Sequence, residues 1–430
     1  MELLKVSENK RFLMKEDGSA FFWSGDTAWN LFHKLSREET EYYFKNRVGY
    51  GFNVIQAVVL SEFDGLTTTN AYGRLPLLKD ETGSFNPCLP DTDGEYSYWD
   101  HIDYVINKAE EYGLYIALLP TWGDKYNLKW GKGPVIFNET NSYMYGKWIA
   151  ERYKNNTNII WVLGGDRPLE IGKHYDVIRA MAKGIKEGDG GRHLITFHPS
   201  GQTSSSDFLM YEDWLDFNMI QSGHCELNYP NYEKVLKDYN SCDLKPVLDG
   251  EPRYEDHPIN FKPENGYFDD FDIRQGAYWA VLSGAFGHTY GHHSIWSMNT
   301  ENTDYIIMNW KVALDRPGSM QMKYLKTLIE SKPFFERVPD QSMIVNNYPG
   351  ANYMVASRGE DYAFVYSPCG LDFELKLGIL KGKSLVVNWF NPKTGEYTYI
   401  GCIENEGVHK FSPPASGRGE DWVLVMDKAD

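Results

Sequence analysis

The chain is 430 residues long, and its 43 basic against 60 acidic residues leave a net charge of −17. So acidic a balance argues against recognising nucleic acid or an anionic membrane surface through a general basic field. No apolar run approaches the ~18–20 residues that cross a bilayer, so a soluble globular protein is expected.

At roughly 150 residues per domain, the length fits two or three domains, or one large α/β barrel with an appendage. The N-terminal MELLKVSENKRF holds no apolar core of the signal-peptide kind. Either the protein stays in the cytosol, or a leader has been removed. From there, short β-rich apolar runs alternate with longer helical patterns. The spacing predicts strands at 21–24, 53–60, 114–120, 158–163, 193–198, 216–221, 246–248 and 287–290. Several are apolar on both faces, as parallel strands covered on both sides are. Helices are predicted at 37–48, 99–112, 143–154, 174–186, 232–239 and 273–283. Ser36 and Glu39 have the spacing of a capping box, and Gly113 closes the second helix.

Eight strand–helix units in about 310 residues is the count of a (β/α)₈ barrel. An open doubly wound sheet would carry a Gly-rich phosphate turn after an early strand, and none is there. The stretch 61–97 reads as loop material lying over the barrel mouth. After a last helix at 321–331 the texture changes to short alternating strands at 352–356, 361–366, 384–391, 396–400 and 421–426. The expected architecture is therefore a barrel over 1–335 and a small C-terminal all-β sandwich over 340–430.

In a barrel, the side chains at the C-terminal strand ends converge on one mouth. Asp26 and Trp29 follow the first predicted strand, Gln56 lies on the second, Trp122 follows the third and Asp166 the fourth. His198 ends the fifth and Gln221 the sixth, with His224 just beyond. Glu251 and Arg253 follow the seventh, His292 and Trp296 the eighth. Aromatic residues make up 15% of the chain, which suits sugar-stacking surfaces as well as large cores.

Asp166 and Glu251 lie about three strand–helix units apart, and so face each other across the mouth. Facing carboxylates are what glycoside hydrolysis needs, one to protonate the leaving oxygen and one to attack or stabilise the cationic sugar carbon. Singly, each reads more readily as a turn cap or as the partner of Arg167 or Arg253. As a pair at these two strand ends they read as catalytic. Trp29, Trp122 and Trp296 are sugar-stacking walls or core residues, and Asp26 binds sugar hydroxyls or caps a helix. Gln56, His198, Gln221, His224, Arg253 and His292 are expected to complete a polar cleft. A metal set from His288, His292 and His293 lacks an HExxH sequence, so no metal and no cofactor is expected. No G-x-S-x-G nucleophile elbow is present. The five scattered cysteines form no disulfide framework or zinc-finger pattern.

The segments FFWSGDTAWNLF (21–32), WVLGGDRP (161–168), LDGEPRYE (248–255), NWFNPKTGEY (388–397) and EDWVLVM (420–426) resemble the apiosidase-like family of bacterial glycoside hydrolases. Its members join a (β/α)₈ barrel to a small sandwich of the collagen-binding-domain type. The resemblance covers nearly the whole chain. It implies that Asp166 is the general acid/base and Glu251 the nucleophile of a retaining hydrolase. It also implies a plant cell-wall substrate, with cleavage at or next to apiose in pectic side chains. A periplasmic or secreted enzyme follows from such an oligosaccharide or polysaccharide partner. Two other readings stand beside it: a non-catalytic carbohydrate-binding or adhesive protein on a barrel scaffold, and a hydrolase of another glycan such as hemicellulose.

Overall fold

The computed structural model describes residues 1–429. Eight parallel strands form the barrel: β1 (Trp23–Thr27), β2 (Val54–Leu60), β3 (Tyr115–Thr121), β4 (Ile159–Gly164), β5 (Ile195–His198), β6 (Asn218–Gln221), β7 (Val247–Asp249) and β8 (Gly287–Tyr290). Their order in the sheet is β5-β4-β3-β2-β1-β8-β7-β6, with the short strand Thr203–Ser204 added antiparallel to β6. The seam between β5 and β6 is bridged where Asp216 N donates to Ile195 O (2.9 Å) and Thr196 Oγ1 donates to Phe217 O (2.7 Å).

Side chains alternate along a strand, and here both faces are covered. Val54, Val58, Ala117, Leu119, Ile160 and Val162 point inward and pack with Phe217, Met219 and Leu248. Ile55, Ala57, Val59, Ile116, Leu118 and Trp161 point outward, against helix residues such as Tyr43, Trp99, Ile102 and Ile149. This is why the strands read as unbroken apolar runs. Helix Arg37–Gly49 begins with the capping box of Ser36 and Glu39. Helix Tyr98–Glu111 is closed by Gly113 at φ +73°, a left-handed position that glycine takes without a steric penalty.

Three short strands that the hydrophobic pattern does not predict, Leu4–Val6, Leu13–Lys15 and Ala20–Phe21, pack at the N-terminal end of the barrel. There Phe21 meets Tyr115, with ring centroids 5.0 Å apart. Much of the 61–97 stretch also departs from expectation. Its strands Leu77–Lys79 and Phe85–Pro90 form a hairpin, and Leu77 is buried among the outer helices, which draws this part of the segment away from the mouth.

Beyond helix Pro317–Glu330, a six-stranded antiparallel sheet follows, with Phe373–Lys376 and Val408–Phe411 paired as a second small sheet. Strand Tyr362–Ser367 shows how both faces are used. Ala363 and Val365 pack against Phe373 and Leu375, while Phe364 and Tyr366 join the apolar cluster of the barrel. Tyr366 stacks on Tyr278 of helix Asp270–Leu282 at 4.9 Å. Beside it, Arg274 donates to Asp421 through Nε (3.0 Å) and Nη2 (2.8 Å), with both side chains out of solvent. Tyr366 Oη donates a further bond to Asp421 (3.2 Å).

Removing one partner of a buried ion pair strands the other charge, which costs more than the pair itself contributes. Arg274→Met is therefore expected to destabilise the protein by about 3–5 kcal/mol. Denaturant unfolding measures it, and a loss under about 1 kcal/mol, the range of a surface pair, would show the contact to be dispensable.

Candidate active site

The C-terminal ends of the barrel strands enclose a cavity of about 840 Å³, within the range of small-molecule sites. Asp166 enters it from the turn after β4. Gly164 (φ +94°), Gly165 (φ +103°) and Asp166 itself (φ +57°) run consecutively through left-handed space. A Cβ at Gly164 would lie 2.3 Å from His198 O, and one at Gly165 would lie 2.7 Å from Gly123 N. Only glycines let the chain turn this tightly and bring the carboxyl to the mouth. A non-glycine residue held there is the kind of backbone strain found at functional sites.

Asp166 Oδ2 accepts from Trp130 Nε1 (3.0 Å) and from Arg167 Nη1 (3.0 Å). Arg167 also donates through Nη2 to Glu62 Oε1 (2.7 Å), so one guanidinium serves two carboxyls. Burial raises the Asp166 pKa above the usual carboxylate range, and the nearby charge of Glu251 raises it further, against the pull of Arg167. Burial likewise pushes Glu62 up to about 7, with Arg167 opposing.

Glu251 follows β7, whose last residue is tied down. Asp249 accepts from Ser222 Oγ (2.8 Å) and Asn231 Nδ2 (2.9 Å). Two imidazoles then frame the Glu251 carboxyl. His224 Nε2 meets Oε1 at 3.1 Å, and His198 Nε2 lies 2.8 Å from Oε2. The amide of Asp166 donates to His198 Nδ1 (3.3 Å), which assigns the ring proton to Nε2, on the side of Glu251. One ring therefore links the backbone of the first carboxylate to the side chain of the second. Burial would raise Glu251, but its contacts with the two histidines outweigh it and hold the pKa down at about 2.

Around the pair stand aromatic rings. Trp29 packs on Trp122 (5.0 Å) and edge-on to His198 (5.4 Å). Its Nε1 donates to Tyr254 Oη (3.2 Å), and burial together with the nearby Glu251 charge holds that phenol well above its ordinary pKa. Besides Glu251 Oε2, which His198 Nε2 approaches at 2.8 Å, four polar atoms of buried residues lining the cavity have no hydrogen-bond partner among the described residues: Trp122 Nε1, Gln221 Oε1, His224 Nδ1 and His293 Nε2. Unpaired buried polar atoms are costly, and these stand ready for a ligand's hydroxyls.

Of the residues singled out from sequence, Trp29, Trp122, Asp166, Gln221, His224, Glu251 and Trp296 line this cavity. His198 sits behind Glu251. Four others do not line it. Asp26 lies on the outward parity of β1, where Tyr43 Oη (2.5 Å) and Arg47 Nη1 (3.3 Å) of helix Arg37–Gly49 hold it. Gln56 points into the barrel interior and donates to Gly250 O (2.8 Å). Arg253 turns to helix Asp270–Leu282, with Nη1 on Gln275 Oε1 (3.2 Å). His292 pairs with Asp256 (3.0 Å) and is fully buried.

The three late histidines do not converge either, since His293 faces the cavity while His288 lies on the outward side of β8 near Phe22, Phe52 and Met322. Among the described residues no group of three or more His, Cys, Asp or Glu side chains is placed to hold a metal ion. Glu62, Trp130, Tyr254, His257, Phe261 and Tyr305 line the cavity without having been singled out. Glu62 follows the second strand at once, and Tyr254 belongs to the DGEPRY run, so strand-end position marks both. Trp130, Phe261 and Tyr305 lie in irregular loops that carry no periodic signal.

Two family models match the chain. One, described as "Apiosidase-like, catalytic domain", covers residues 7–336. The other, described as "Putative collagen-binding domain of a collagenase", covers residues 338–427. Among solved structures, one described as a glycoside hydrolase is 37% identical with a TM-score of 0.90, over 100% of this chain and 97% of that one. A glycoside hydrolase family 5 protein from Bacteroides vulgatus is 35% identical with a TM-score of 0.91, over 99% and 94%. An endo-1,4-β-mannanase from Rhizomucor miehei, 13% identical with a TM-score of 0.51 over 77% of this chain and 100% of that one, shares the fold. No curated protein matches the chain at a significant level.

Proposed function

The chain belongs to the apiosidase-like family and is a glycoside hydrolase, and we propose that it cleaves with retention, Glu251 attacking the sugar carbon and Asp166 serving as acid and then base. The observation that carries this reading is a pair of carboxyls in one cavity whose surroundings favour opposite protonation states. Glu251 is held ionised between two imidazoles, whereas Asp166 is pushed towards the protonated form. A nucleophile must be anionic and a general acid must hold a proton at the same pH. In the first step Asp166 gives its proton to the leaving oxygen as Glu251 forms the glycosyl ester. That ester abolishes the negative charge that helped raise Asp166, so Asp166 ionises. It then takes a proton from the water that frees the sugar.

The proposed substrate is a pectic side chain of the plant cell wall, apiose included. Its reacting sugar is neutral. Arg167 is committed to Asp166 and Glu62, and Lys129 to Glu170 (2.5 Å), so neither of these cations is free for a uronate. A net charge of −17 also disfavours approach to a polyanionic backbone. Action on such material fits a periplasmic or secreted enzyme.

The anomer first released, followed by NMR on pectic side-chain oligosaccharides, is expected to keep the configuration of the substrate. An inverted product would remove Glu251 from the nucleophile's role.

A further inference from the structure

The floor and the mouth of the cavity differ in chemistry. At the floor lie the four unpartnered polar atoms, Trp122 Nε1, Gln221 Oε1, His224 Nδ1 and His293 Nε2. At the mouth the polar side chains are already engaged: Glu62 with Arg167 (2.7 Å), Lys129 with Glu170 (2.5 Å) and Gln202 with Glu226 (2.8 Å). What the mouth offers instead is apolar ring. Phe63, Trp130 and Phe261 line the cavity from the loops after β2, β3 and β7, and are 42%, 40% and 51% exposed.

Exposed large apolar side chains gathered around a cavity mark an interaction site. Here two of them are also held against their backbone preference. Phe63 (φ +55°) and Phe261 (φ +60°) occupy left-handed space, where a bulky residue is a true outlier. Neither ring is buried, although Phe261 meets His257 edge-on with ring centroids 4.9 Å apart. The third ring is fixed beside the chemistry. Trp130 Nε1 donates to Asp166 Oδ2 (3.0 Å), and the Arg167 guanidinium lies 4.7 Å from the ring centroid. The group that departs with Asp166's proton leaves past this ring.

We propose that the mouth is a leaving-group subsite for an aromatic, phenol-type substituent borne on the leaving portion of the glycan, received on Phe63, Trp130 and Phe261 while the reacting sugar meets the polar floor. A second sugar would also stack on these rings, but its hydroxyls would face side chains already paired. An aryl group makes no such demand and gains from every exposed ring edge and face. The inference deepens the reading of Asp166 as acid, since it places the ring on that carboxyl's side. Binding of the ring itself does not depend on that reading.

The test is therefore binding without turnover. The probe is 4-methylumbelliferone, titrated into the full-length protein and followed by saturation-transfer NMR, with methyl glucoside as the non-aromatic control. Saturable binding is expected for the wild type. Phe63→Ala and Phe261→Ala, each checked for an unchanged thermal midpoint and each read alone, should weaken it at least about fivefold, the size of a lost ring contact. The control should bind no more weakly in either variant than in the wild type. Absence of saturable binding at millimolar probe, or an affinity that neither variant changes, overturns the proposal. If the probe binds as expected but the enzyme inverts, the retaining reading fails and the aromatic subsite stands.

Discussion

Glu251→Gln is expected to lower turnover by at least about 10⁴-fold while leaving substrate binding nearly unchanged. The amide has the shape of the carboxylate but cannot form the glycosyl ester at a useful rate. It also sits badly in its frame. His224 Nε2 and His198 Nε2 each face one oxygen of Glu251, at 3.1 and 2.8 Å, so one of them meets an N–H₂ group in the variant. A small local shift relieves the resulting donor–donor contact, so binding is nearly spared while the chemistry is lost. Steady-state rates on the same pectic side-chain oligosaccharides, with calorimetric binding in parallel, separate the two effects. Residual activity above about one per cent of wild type, far more than loss of a nucleophile leaves, would mean that another group attacks. The smaller variant Glu251→Ala, supplied with azide, should yield a glycosyl azide of inverted configuration, because azide then occupies the nucleophile's place.

The barrel is legible in the sequence because its strands are covered on both faces. Runs such as Val54–Leu60 carry no polar break, and helices fill the intervals. Position at a strand end then marks Asp166 and Glu251, and also Trp122, Gln221 and His224. Side-chain parity is what the sequence hides. Asp26 and Thr27 are adjacent, yet Asp26 faces Arg47 outside the barrel and Thr27 faces Gln56 inside it. Arg253 lies two residues past Glu251 but is claimed by Gln275 on a helix, a contact set by tertiary packing. The mouth is hidden for a further reason. Trp130, Phe261 and Tyr305 come from irregular loops, where neither a period of two nor of 3.6 exists to read.

Asp166→Ala is expected to divide substrates by leaving group. A poor leaving group needs the proton that Asp166 supplies, so its kcat/KM should fall by about 10²–10⁴-fold. A good leaving group departs unaided, and its first step should be nearly spared. Release of the sugar from Glu251 then becomes slow, since no base remains to activate water, and a burst of aglycone followed by a low steady rate should appear. Azide needs no base, so adding it should restore turnover and give a glycosyl azide of retained configuration.

The pH profile follows from the same charges. Glu251 is ionised at any pH above about 2, so the acid limb of kcat/KM lies at low pH. The alkaline limb belongs to Asp166, which must be protonated in the free enzyme. Burial and the Glu251 charge place that limb above the ordinary carboxylate range. In Asp166→Ala the limb should vanish for good leaving groups, because no proton is being donated. Equal slowing of good and poor leaving groups, or an alkaline limb that survives the substitution, would assign the proton to another residue. Glu62, whose pKa is about 7 and which shares Arg167 with Asp166, would then be the group to replace.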